Sequence, residues 1–119
     1  MKTSYFAKLR KIDKDLTPIA ICLYPPKWYD GDVYKKLAPT WDILNKWKAS
    51  NKDEIAEQEY TEQYYLQVLN KLDAKKVYEE LGEKSVLLCF EKRGDFCHRK
   101  IVAEWLNKKL GITVHEFEG

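Results

Sequence analysis

One stretch constrains this chain more than any other. Residues 85–111 run Ser-Val-Leu-Leu-Cys-Phe-Glu, then Lys-Arg-Gly-Asp-Phe, then Cys-His-Arg and an amphipathic segment that ends at Gly111. Residues 85–91 are a short apolar run with β-favouring side chains, bounded by charge and glycine. That is the signature of a strand buried on both faces. Ile101, Val102, Trp105, Leu106 and Leu110 recur at helical spacing, and Gly111 supplies the C-terminal stop. Cys97-His98-Arg99 is therefore expected where a buried strand has ended and a helix begins. The first N–H groups of a helix lack intrahelical acceptors, and the dipole there favours an anion or a thiolate. A thiol, an imidazole and a guanidinium thus stand together at a natural anion position.

The rest of the chain is organised to match. Thr3 to Phe6 predict a brief strand, followed by helical turns that carry Lys8, Arg10 and Lys11 outward. Residues 18–24, entered at Pro18 and ended by Pro25-Pro26, predict a second buried strand. Residues 27–32 predict a loop and 33–37 a helical turn. Thr40 is placed to cap a helix carrying Trp41, Ile43, Leu44 and Trp47, and residues 50–53 form a polar connector. Tyr60, Tyr64 and Val68 share one helical stripe and Tyr65, Leu69 and Leu72 the adjacent one, a wide apolar face. Asp73 caps a helix over 74–81, closed by Gly82, and residues 112–117 predict a closing strand.

Strands separated by helical crossovers imply a single three-layer α/β domain, with a largely parallel central sheet and helices on both faces. Ligands of such sheets gather outside the carboxyl ends of the strands. If the first, second and 85–91 strands are neighbours, Ser4-Tyr5, residues 25–28 and residues 91–99 share one rim.

Composition narrows the classes. A chain of 119 residues suits one domain with a modest core. A formal charge of +2 does not support nucleic-acid binding on electrostatics. The three cysteines are an odd number, and Cys22 and Cys89 lie in apolar runs where a thiol behaves as a small hydrophobe. With no signal-peptide pattern and no apolar run long enough to span a bilayer, a cytoplasmic protein with free thiols and no membrane partner is expected.

Each candidate residue has two readings. Cys97 is a nucleophile favoured by the helix start, or a packed cysteine. His98 is adjacent to it, so the two side chains are expected to diverge, which makes His98 an awkward base for Cys97. Arg99 is a ligand for phosphate or carboxylate, or the ion-pair partner of Glu91. Glu91 is an acid or base if partly desolvated, or simply that partner. Ser4 and Tyr5 on the rim and Trp28 on its loop are placed to flank a ligand, although Trp28 also suits a lid on the core. Cys89, Cys97 and His98 come to three metal ligands where zinc wants four, so neither metal nor cofactor is expected. His115 is most simply a packing residue.

Leu87-Leu88-Cys89-Phe90-Glu91, a spacer and Phe96-Cys97-His98-Arg99 resemble the LLC-x-E … CHR signature of the domain of unknown function 488 family. Thr3-Ser4-Tyr5-Phe6, Leu37-Ala38-Pro39 and the Tyr60…Tyr64 helix are similar to the compact branch of that family, so the resemblance covers most of the chain. It implies a small α/β fold and no particular activity. Longer members open on Thr-Ile-Gly-His with an Asp-Val-Arg after it. Here the opening is Thr-Ser-Tyr-Phe, and Ile21-Cys22-Leu23 lacks that Asp and Arg. Chemistry carried by those residues elsewhere does not transfer.

Two functions follow. One is a small-ligand protein that binds a phosphate- or nucleotide-like anion around Cys97-His98-Arg99 and acts as a thiol-dependent enzyme. The other is a non-catalytic interaction module for protein or single-stranded nucleic acid, with the Cys-His-Arg turn as architecture.

Overall fold

Burial along β4 (Ser85–Cys89) sets the architecture, since all five of its residues are buried. A strand with no polar face must be paired on both edges and covered on both faces. In the computed structural model, which describes residues 1–91 and 95–118, β4 is the middle strand of five. The others are β1 (Lys2–Tyr5), β2 (Thr17–Ala20), β3 (Asp32–Val33) and β5 (His115–Glu116). Their order is β3-β2-β4-β1-β5 and every pair is parallel. Leu87 stands opposite Thr3 on one edge and Ile19 on the other. The expected α/β class, parallel sheet and central position of this strand are all present.

The two covering layers are unequal. The helices α1 (Trp41–Ala49), α2 (Glu54–Gln67), α3 (Ala74–Leu81) and α4 (His98–Leu110) share one core with Ile19, Ile21 and Leu87. Within it Trp105 is only 2% exposed, and fully burying a large apolar side chain contributes roughly 1.5–3 kcal/mol. The opposite face is closed by the 3₁₀ segment Phe6–Lys11 and its neighbours, with Phe6 against Ala20, Cys22, Val86 and Leu88. Thr40, Asp53 and Asp73 accept hydrogen bonds from the first turns of α1, α2 and α3. Gly111 ends α4 in the left-handed region at φ +70°, where a side chain would be strained.

Three local expectations are corrected. Asp32–Val33 is a parallel edge strand rather than loop and helical turn, tied in by Tyr34 N–H donating to Ala20 O at 2.8 Å. Two exposed residues carry no alternation by which to recognise a strand. β2 stops at Ala20, although Ile21 N–H still donates to Leu88 O at 3.0 Å. The closing strand shrinks to two residues, His115 and Glu116, which pair with only Lys2 and Thr3 of the four-residue β1. Among the described residues, no helix is long and apolar enough to cross a membrane. The spacer residues Lys92, Arg93 and Gly94 lie outside the described residues.

Candidate functional site

Because β2, β4 and β1 are parallel neighbours, their carboxyl ends form one rim. A cleft of about 320 Å³ opens there. Cys22, Cys89, Cys97 and His98 supply its buried lining, and Glu91 and Lys48 its charged groups. Trp47, Tyr60 and Phe96 form an aromatic wall, each ring within 4.9–5.7 Å of the other two. Burial, and then the charge of Glu91, hold the Tyr60 phenol well above its ordinary range, so it stays protonated.

Cys97 is the N-cap of α4 and its side chain caps nothing. His98 follows it and is buried. Its Nε2 lies 2.8 Å from Ile21 O. A carbonyl only accepts, so Nε2 carries the proton and Nδ1 presents a lone pair. Nδ1 lies 3.8 Å from Cys97 Sγ. The expected divergence of the adjacent side chains is therefore corrected: the imidazole folds back over the sulfur. Burial lowers the His98 pKa to about 4; the Ile21 hydrogen bond opposes this and the charge of Arg99 adds to it. The ring is thus neutral near pH 7. Tyr64 packs edge-on against it at 5.6 Å and donates its hydroxyl to Leu37 O at 2.6 Å.

The sulfurs correct another expectation. Cys89 and Cys97 form a disulfide across eight positions, so only Cys22 is a free thiol. Burial pushes the Cys22 thiol up to about 11, which disfavours its anion. Cys89 Sγ also accepts from Arg99 Nη1 at 3.1 Å. The ligand atoms of Cys89, Cys97 and His98 all lie within 4.8 Å of one another.

Arg99 turns away from the cleft. It is 0% exposed, and all its guanidinium nitrogens are engaged. Nε and Nη2 donate to the two carboxylate oxygens of Glu116 at 3.1 and 3.0 Å, and Nη1 donates to Glu91 O at 2.6 Å as well as to Cys89. The ion-pair partner is Glu116 rather than the carboxylate of Glu91. Glu91 is exposed at the cleft mouth and meets Arg99 only through its backbone carbonyl.

The remaining candidates do not gather at the cleft. Ser4 is fully buried in β1 beside Leu88, and its hydroxyl has no hydrogen-bond partner among the described residues. Tyr5 lies under the guanidinium, its ring 5.8 Å from Arg99 Cζ. Trp28 packs edge-on against Phe6 at 6.2 Å and lines a separate depression with Leu9 and Arg10. His115 is exposed on β5.

Sequence reasoning passed over Glu116, which also accepts from Thr3 Oγ1 at 2.7 Å, and the aromatic wall. A carboxylate between β-favouring residues in a closing strand was a signal for Glu116, since a buried arginine requires an anion. Nothing local marked Trp47 and Phe96 as neighbours, because 49 positions separate them.

A family profile described as the active DUF488-N3 subclade matches residues 6–110. No curated protein and no solved structure matches the chain.

Proposed function

The chain belongs to the DUF488 family, and from that premise we propose that it is a thiol-dependent enzyme holding a small ligand in the rim cleft. One observation carries the reading. Two sulfurs and an unprotonated ring nitrogen, brought from the end of β4 and the start of α4, line one cleft of about 320 Å³. Once the disulfide is reduced, Cys97 is the nucleophile, and His98 Nδ1, held in position by the Ile21 carbonyl, orients its thiol by accepting a hydrogen bond while the proton leaves to solvent. Cys89 is the partner thiol. Reducing conditions, such as those of a cytoplasm, arm the site.

The aromatic wall suits a flat or apolar ligand body. Lys48 and the N-terminal end of α4 favour an anionic group, so phosphate- and nucleotide-like compounds are the first ligands to test. Arg99 is a positioning residue here, since its contacts hold Glu91 O and Cys89 rather than the cleft. Glu91 stands where it can exchange protons with the outer end of a ligand.

The test compares oxidised and reduced protein. A small haloacetamide with mass mapping is expected to label Cys97 ahead of Cys22 only after reduction. Calorimetry with phosphate, nucleotides and aromatic carboxylates is expected to find a ligand that slows this labelling. Equal labelling of Cys22, or no binding by any of these compounds, removes the reading. A specific observation then favours an interaction module. Tyr24, Trp41 and Phe90 are 59%, 52% and 53% exposed, with Tyr24 and Trp41 in contact at 5.5 Å, an aromatic surface suited to a protein or single-stranded partner.

A further inference from the structure

We propose that in the reduced protein Cys89, Cys97 and His98 together bind one soft divalent cation of the zinc type, with a fourth coordination position open to the cleft. This does not rest on thiol catalysis. It uses the same three side chains as ligands instead of nucleophile, partner thiol and orienting ring, so the two readings can fail separately.

The donor set carries the inference. Two sulfurs and one imidazole nitrogen lie within 4.8 Å of one another. Thiolate and imidazole are the ligands that zinc-type ions prefer, and three protein ligands with an open fourth position is the arrangement of reactive rather than structural sites. Two thiolates and a neutral imidazole also balance the charge of a dication.

The surroundings are built as those of a ligand set are. A ligating histidine usually donates its other ring N–H to a carbonyl or carboxylate, which fixes the tautomer. His98 does this, with Nε2 donating to Ile21 O at 2.8 Å while Nδ1 faces the sulfurs. Thiolate ligands are likewise steadied by outer donors. Arg99 Nη1 lies 3.1 Å from Cys89 Sγ and is itself fixed by Glu116 through the rest of the guanidinium. The Cα atoms of Cys89 and Cys97 stand 7.5 Å apart, wider than the roughly 4.4–6.8 Å usual for disulfides. That spacing suits two sulfurs with an ion between them. The fourth position faces a cleft that is open at the Glu91 end.

The oxidised and metal-bound forms exclude each other. A trialkylphosphine reduces the disulfide by taking the oxygen of one water molecule, and the two hydrogens of that water go to the sulfurs. The ion then displaces both thiol protons to solvent.

The test uses the full chain, stripped of metal and reduced with a phosphine. Co²⁺ is titrated in and thiolate-to-cobalt charge-transfer absorption is recorded. Zn²⁺ affinity is measured against a chromophoric chelator. One ion per chain is expected, with the cobalt band abolished by one equivalent of Zn²⁺. Cys89→Ser and Cys97→Ser should each weaken binding by more than the about 10–100-fold that loss of an outer partner produces. His115→Gln, which changes the other histidine, should leave binding unchanged. The oxidised protein should bind no ion at this site. If a serine variant fails to fold by circular dichroism, thermal unfolding of the wild type decides. Zn²⁺ should raise the midpoint of the reduced protein and not that of the oxidised one.

Equal binding by oxidised protein, unchanged binding in both serine variants, or no charge-transfer band in reduced wild type overturns the inference. Rapid alkylation of Cys97 and ligand binding without metal binding would remove this inference alone. Metal binding without a reactive Cys97 or a cleft ligand would instead remove thiol catalysis.

Discussion

The two sides of β4 end at the same rim and have opposite characters. Toward β1 and β5 the rim is tied shut by a largely buried hydrogen-bonded set of Arg99, Glu116 and Thr3. Toward β2 it is open, and Cys97 and His98 line a cleft walled by aromatic rings. Consecutive helical residues are rotated by about 100°, so His98 and Arg99 leave the start of α4 in different directions. The first reaches Ile21 after β2 and the second reaches Glu116 in β5. Three chemically promising neighbours in sequence are thus divided between holding the fold together and lining a site.

The sharpest way to break this contrast is to open the closed side. Arg99→Ala should destabilise the protein by about 3–5 kcal/mol, since removing one partner of a buried pair strands the other. Arg99→Lys should recover only part of that loss, because an ammonium cannot make the planar paired contact. Urea unfolding checks both. An Arg99→Ala variant as stable as wild type but deficient in binding anions would show that the guanidinium serves a ligand.

The open side has a covalent tie of its own. Reducing Cys89–Cys97, which closes a loop of eight positions, should lower stability by about 2–3 kcal/mol in the absence of metal. Denaturant curves with and without phosphine measure this. No difference between them would mean that the pair constrains little of the unfolded chain.

Behind the cleft, Tyr64→Phe removes a buried hydroxyl and leaves Leu37 O unpaired. The expected cost is about 1–3 kcal/mol, again by urea unfolding, with a looser cleft seen as faster backbone hydrogen exchange at His98. Unchanged stability would mean that water replaces the hydroxyl.

The smallest effect belongs at the cleft mouth. Glu91→Gln alters an exposed side chain whose carboxylate does not hold Arg99. Stability should stay within about 0.5 kcal/mol of wild type, and any effect should appear in ligand binding instead. A large loss of stability would restore Glu91 as a structural partner of Arg99.

By itself the sequence determined the α/β class, the buried central strand and the helix that begins at His98. Those features rest on local periodicity, on end signals such as Thr40, Asp73 and Gly111, and on the unbroken burial that an apolar run demands. It also located the rim, because parallel strands feeding helices place their carboxyl ends together. Only the tertiary structure decided what each rim residue touches. The carboxylate of Glu116, not that of Glu91, pairs with Arg99; Cys89 meets Cys97; and Trp47, Tyr60 and Phe96 close into one wall. The reason is range. Periodicity and capping act over a few residues and are written into each segment. Pairings across the sheet and between helix ends depend on strand order and on which way a helix start is rotated, and neither is written into any one segment.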